Sequence, residues 1–82
     1  MGSFQYVIKD EVGMHARPAG MLVKLAKELS SAVTITKGDR TVEATKLLAI
    51  MSLGVKKGEE ITVSADSEED LEKLKKLFEE NL

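Results

Sequence analysis

Residues 13–20 read Gly13-Met14-His15-Ala16-Arg17-Pro18-Ala19-Gly20, and at this stretch the hydrophobic period of the chain changes. Upstream, Phe4, Tyr6 and Ile8 alternate with Gln5, Val7 and Lys9, the period-two pattern of a strand with one buried face. Downstream, Ala19, Leu22, Val23, Ala26 and Leu29 recur at helical spacing, which predicts a helix from Ala16 to about Ser30. Gly13 breaks the strand. Pro18 is tolerated in the first helical turn, where its missing N–H would have no intrahelical partner. Lys24 and Lys27 lie off the apolar stripe and should face solvent or a partner.

The same two periods alternate through the rest of the chain. Val33 and Ile35 against Thr34 and Thr36 read as a second strand, and Lys37-Gly38-Asp39 turns into a third from Arg40 to Ala44. Leu47 to Leu53 is a short apolar run, read as a helix capped by Thr45 and ended by Gly54 in a left-handed conformation. Gly58 marks a turn before Ile61, Val63 and Ala65, which alternate with Thr62 and Ser64. Ser67 followed by Glu68, Glu69 and Asp70 has the chemistry of a helix start, with the apolar stripe Leu71, Leu74, Leu77 and Phe78 behind it. Glu69–Lys73 and Glu72–Lys76 are i,i+4 pairs in the favoured order. The order is therefore strand, helix, strand, strand, helix, strand, helix. A chain this short cannot form a doubly wound sheet, so one mostly antiparallel sheet with helices on one face is the expected α+β solution. Thr34, Thr36, Thr41, Glu43, Thr62 and Ser64 leave the other face polar and open to water.

The 82 residues suffice for one small domain over 1–82, with no linker or repeat. An apolar fraction of 43% and a charged fraction of 32% describe a globular chain, not a disordered one. Without cysteine there is no disulfide or thiol chemistry, which fits a reducing compartment. No apolar run reaches the roughly 20 residues needed to span a bilayer. No signal peptide is evident, and Tyr6 stands where a myristoylation motif needs Ser or Thr. A net charge of −2 argues against a nucleic-acid partner. The charge is uneven, however: residues 13–27 carry Arg17, Lys24 and Lys27 and no acid, whereas residues 66–80 are mainly acidic.

His15 is the only histidine. A neutral imidazole has a lone pair near neutral pH and serves as nucleophile, general base or metal ligand. A metal site is poorly supported, because zinc takes about four ligands and no carboxylate stands at ligand spacing near position 15. A hydrolytic triad lacks both a recognisable hydroxyl nucleophile and an orienting carboxylate. Phosphoryl chemistry fits better: a helix N-terminus favours an anion, and Arg17 can donate charge-assisted hydrogen bonds to phosphate oxygens. On the residues alone, a histidine that merely packs or caps at a helix start remains the rival reading.

The run Gly13-Met14-His15-Ala16-Arg17-Pro18-Ala19 resembles the active-site signature of HPr, the histidine-containing phosphocarrier family of the bacterial phosphoenolpyruvate-dependent sugar phosphotransferase system (PTS). The resemblance covers essentially the whole chain. Leu47 to Gly54 resembles the second helix of that family, and Lys57-Gly58-Glu59-Glu60-Ile61 its approach to the last strand. It implies an open-faced β-sandwich, four antiparallel strands covered on one side by three helices in the order βαββαβα. It also implies that His15 accepts a phosphoryl group on Nδ1 from phospho-Enzyme I and passes it to a sugar-specific IIA protein or domain. The chain would be a cytoplasmic, monomeric carrier in a relay, without cofactor, metal or an enzymatic turnover of its own. Arg17 would stabilise the moving charge, Pro18 would fix the helix start, and Ala16, between His15 and Arg17, would support the phosphoryl site. Both partners would dock on one surface, formed by Met21, Lys24 and Lys27 with Leu47, Leu48 and Met51.

Two positions depart from the family pattern or from helix chemistry. Many Gram-positive members carry a regulatory serine at the start of the second helix, phosphorylated by HPr kinase/phosphorylase; Lys46 stands there, so that switch is not implied. Lys46 also places a cation at the positive end of a helix. Gly20, inside the first helix, costs about 0.5–1 kcal/mol relative to Ala. Alternatives to sugar-linked transfer are a regulatory protein-binding module on the same fold, or a carrier for a nitrogen-regulatory or dihydroxyacetone-kinase branch.

Overall fold

The alternation at the start of the chain forms strand β1, Gly2–Val7, with Phe4 and Tyr6 turned inward and Ser3, Gln5 and Val7 exposed. In the computed structural model, which describes residues 2–29 and 32–82, it is followed by α1 (Ala16–Glu28), β2 (Thr34–Lys37), β3 (Arg40–Glu43), α2 (Leu47–Ser52), β4 (Glu60–Ala65) and α3 (Glu68–Asn81). The order is the expected βαββαβα. Helix α1 ends at Glu28, where Leu29 becomes extended; the predicted end at Ser30 lies outside the described residues.

The strands form one sheet in the order β1-β4-β2-β3, with every neighbour antiparallel. Its register sorts the side chains by face. Phe4, Val63, Ile35 and Val42 make one inner row, while Ser3, Ser64, Thr34 and Glu43 make an outer row, as do Gln5, Thr62, Thr36 and Thr41. The outer face is thus polar along these rows, and the Thr36 and Thr41 hydroxyls hydrogen-bond across it at 2.9 Å. The three helices cover the inner face, giving the open-faced sandwich. Helix α3 packs on β1 and β4, and Phe78 is fully buried with its ring edge-on to Phe4 at 6.0 Å and tilted against Tyr6 at 5.5 Å. Burial, then the negative charge of Glu79, pushes the Tyr6 phenol above its usual pKa. Leu22 of α1, Ile50 of α2 and Leu74 of α3 complete the centre of the core. No helix among the described residues is long and apolar enough to cross a membrane.

Ser67 caps α3 as its sequence indicated, accepting from the Asp70 N–H at 3.1 Å. Glu69 and Lys73 pair at 3.6 Å, but the Glu72–Lys76 contact is not made among the described residues. Helix α2 differs at its start. The N-cap is Lys46, not Thr45, and no side chain caps it. The Lys46 N–H instead donates to the Glu43 carbonyl at 3.2 Å, a turn that carries Thr45 and delays the helix by one residue. Lys46 Nζ lies 3.3 Å from Glu43 Oε2, which offsets the cation at the positive end of the helix. At the other end, Gly54 is left-handed (φ 61°), as expected, and its N–H donates to the Met51 carbonyl.

That C-terminus also holds two cations from the β2–β3 hairpin. Lys37 Nζ donates to the carbonyls of Leu53 (3.0 Å) and Gly54 (3.1 Å), and an Arg40 guanidinium N–H donates to the Ser52 carbonyl at 3.0 Å. They satisfy carbonyls that the helix leaves unpaired and complement its dipole. Glu59 joins the network through a 2.7 Å bond from the Lys56 N–H and a 3.1 Å contact with Lys37. The Lys56 N–H first, and the Lys37 ammonium second, hold the Glu59 carboxyl below its ordinary pKa. A group lowered on folding contributes stability above its unfolded pKa and loses it as pH falls through the folded value. Urea midpoints followed from neutral pH down through the carboxylate range should therefore fall less steeply in Glu59→Gln than in the parent chain. Equal slopes would show that this network does not couple to folding.

Candidate functional site

His15 is the N-cap of α1, with extended backbone (φ −97°, ψ −175°) and no side-chain capping bond. Its ring is therefore free of the role that an Asn or Ser would play there, and it is 39% exposed. Two groups of contacts hold the backbone under it. The Met14 N–H donates to the Val55 carbonyl at 3.0 Å, and the His15 N–H donates to the Gly13 carbonyl at 3.0 Å. Further back, the N–H groups of Lys9 and Asp10 both donate to the Leu82 carbonyl. Gly13 is required here: it is left-handed (φ 80°), and a Cβ on it would stand 2.4 Å from the Val55 carbonyl oxygen.

The helix start supplies donors. The His15 carbonyl accepts from the Ala19 N–H at 3.0 Å, and Pro18 has no N–H. The N–H groups of Ala16 and Arg17 therefore remain without a partner among the described residues, and the first turn contains no acidic side chain. Arg17 is exposed and makes no ion pair within 4 Å among the described residues. An anion at His15 would meet two backbone donors, the positive end of a helix and an unpaired guanidinium.

A shallow depression at this place is lined by Asp10, His15, Arg17, Pro18, Met21, Glu80 and Asn81. Pro18 is buried beneath it and Ala16 is exposed beside it. Asp10, Glu80 and Asn81 are not visible as site residues in the sequence. Asp10 is the most consequential, since it brings a carboxylate oxygen to 3.7 Å from His15 Nε2. The spacing of residues around position 15 shows no such carboxylate, because the approach depends on the reversal at Gly13. The one local signal is the Asp10-Glu11-Val12 stretch before that glycine: Asp10 Oδ2 accepts from the Val12 N–H at 3.0 Å, an ordinary Asx turn. Asp10 and His15 fall short of a metal centre, and no group of three suitable ligands occurs among the described residues.

The remaining candidate residues stand outside the depression, on the outer surfaces of two helices that pack together. Met21, which also lines the depression, is 42% exposed, Leu47 39%, Leu48 81% and Met51 38%, with Lys24 and Lys27 exposed on α1. These four are among the six large apolar side chains exposed among the described residues, the others being Val7 and Val12. Gly20 lies in α1, where an added Cβ would meet nothing within 4 Å. Gly20→Ala should therefore stabilise the chain by about 0.5–1 kcal/mol, seen as a higher thermal midpoint. A lowered midpoint would reveal a packing constraint at that position.

An open-faced sandwich that heads its first helix with one accessible histidine has the architecture of the small histidine phosphocarriers. The sequence profile described as PTS HPr component phosphorylation site matches residues 3–80. The phosphocarrier protein HPr of Mycoplasma capricolum subsp. capricolum is 39% identical over 66 residues, 80% of this chain and 74% of that protein. Among solved structures, HPr from Thermoanaerobacter tengcongensis superposes with a TM-score of 0.90 at 36% identity, covering 96% of this chain and 92% of its own. Crh of Bacillus subtilis, a catabolite-repression protein seen as a domain-swapped dimer, gives a TM-score of 0.75 at 33% identity, covering 100% and 98%. The chain belongs to the HPr family.

Proposed function

We propose that this chain is the phosphoryl carrier between Enzyme I and a IIA protein or domain, with His15 as the residue that carries the group. The observation that carries the reading is His15 at the head of α1, its ring exposed beside the N–H groups of Ala16 and Arg17, which have no partner among the described residues. In each transfer to this chain the Nδ1 lone pair attacks phosphorus while the donor's bond to it breaks, so the work is positioning and charge stabilisation. Ala16 and Arg17 supply backbone donors to the phosphoryl oxygens, the Arg17 side chain adds charge, and Pro18 sets the helix start. A shallow, open site holds the phosphoryl group lightly, as a carrier must if the next acceptor is to take it. Met21, Leu47, Leu48 and Met51, with Lys24 and Lys27, form the docking surface for donor and acceptor alike. An apolar patch edged by lysines suits brief binding to an acidic partner. Residues 1–82 act as one domain, as a monomer in the cytoplasm, and Lys46 leaves the chain without the serine switch.

Incubation of the chain with phosphoenolpyruvate and a competent Enzyme I should place one acid-labile phosphate on each molecule. Absence of uptake would overturn the reading. Transfer onward to different IIA-type acceptors identifies the branch served. The likeness to the catabolite-repression protein Crh favours, as a second reading, a regulatory role on the same fold, which would be played through partner binding and not phosphate flux. Partner capture indifferent to phosphorylation of His15 would support that alternative.

A further inference from the structure

We infer that Asp10 is a positioning residue for His15: its carboxylate orients the imidazole through Nε2 and faces the positive charge that the ring acquires on phosphorylation. The inference rests on the carrier reading for its kinetic part only. Asp10 is held unusually well for a loop residue. Its N–H donates to the Leu82 carbonyl at 2.8 Å, its carbonyl accepts from the Gly13 N–H at 3.1 Å, and Oδ2 accepts from the Val12 N–H at 3.0 Å. That same oxygen lies 3.7 Å from His15 Nε2. The distance is too long for a hydrogen bond, and contacts of this kind commonly tighten when the reaction partner arrives.

The geometry distinguishes the two ring nitrogens. Nε2 faces a fixed acceptor, which favours a proton on Nε2 and leaves the lone pair on Nδ1. In the transfer, Nδ1 forms the new bond to phosphorus as the donor's bond breaks, and the donor recovers its electron pair. Nε2 keeps its proton throughout, so the ring ends with a positive charge beside Asp10. The other charged groups lining the depression are Arg17 of α1, available to the phosphoryl oxygens, and Glu80 of α3. Asp10 and His15 are each more than a third exposed, so solvent screening limits the effect to about fivefold in rate.

The test uses the full chain with Asp10→Ala and Asp10→Asn. Asparagine retains an oxygen for the Val12 and Nε2 donors but lacks the charge. Without any phosphoryl donor, the 15N signal of His15 Nε2, recorded with the ring neutral, should move toward the tautomer-averaged position in Asp10→Ala and hold in Asp10→Asn. With Enzyme I, kcat for uptake should fall about fivefold in Asp10→Ala with KM unchanged, and by less in Asp10→Asn. The difference between Asp10→Asn and the parent chain should shrink with added salt. An unchanged Nε2 signal and kcat in Asp10→Ala would overturn the inference, as would a kcat that falls only with the folded fraction. Should Asp10→Ala unfold, full wild-type kcat at low salt in Asp10→Asn would overturn the charge role. A parent chain that takes up no phosphate defeats the carrier reading, while the Nε2 signals still decide the contact.

Discussion

His15→Ala is expected to abolish phosphoryl uptake from phospho-Enzyme I while leaving the fold in place. No other histidine exists to substitute for it, and the chain has no cysteine. The structural cost should be small for reasons visible at the helix start. His15 makes no side-chain capping bond, so alanine removes no cap, and the 3.7 Å approach of its ring to Asp10 is exposed to solvent. A stability change within about 0.5 kcal/mol follows, as for surface substitutions away from special features. Labelled phosphoenolpyruvate with Enzyme I measures the uptake, and thermal unfolding measures the fold. Persistent acid-labile phosphate on a folded His15→Ala protein would move the carrier site elsewhere.

Gly13→Ala is expected to damage the site from beneath. Two separate costs add there. The left-handed backbone disfavours any Cβ by about 1–2 kcal/mol. The new atom would also stand 2.4 Å from the Val55 carbonyl oxygen and 2.9 Å from Lys56 Cα, and both are backbone atoms that cannot swing aside. Forced displacement of well-packed structure costs about 1–3 kcal/mol, so a total loss of about 2–5 kcal/mol is expected. For a small domain that is a large share of the whole. The same shift strains the bond from the Met14 N–H to the Val55 carbonyl, which holds the backbone just before His15. Urea denaturation should show the lost stability, and phosphoryl uptake by the folded fraction should slow. Gly20→Ala, made in the adjoining helix with open space around its Cβ, should move stability the other way. If Gly13→Ala were as stable as the parent chain, the Val55 contact would not anchor the site.

Local signals are strong where one element's own residues decide it. Period-two alternation places β1 and β4, helical spacing places α1 and α3, and Ser67 before three acids marks the cap of α3. His15 at the start of a helix is legible because Gly13 and Pro18 bracket it in sequence. The start of α2 is not. Thr45 is the better capping residue, yet the Glu43–Lys46 turn and its ion pair make Lys46 the cap. The hold of Lys37 and Arg40 on the far end of α2 is equally hidden, since it depends on where the hairpin comes to rest.

The division follows the range of the forces. Hydrophobic period, glycine and proline act within a few residues, so the chain alone specifies a βαββαβα order with one histidine at a helix head. The surroundings of that histidine come mostly from groups distant in sequence, and in the case of Asp10 from a nearby loop whose path distant groups fix. Val55 and Leu82 carbonyls pin the loop, α3 brings Glu80 and Asn81 to its edge, and the folded-back loop delivers Asp10 to within 3.7 Å. Hydrogen bonds and charge contacts need distance and direction together, and only the assembled sheet and helices supply both.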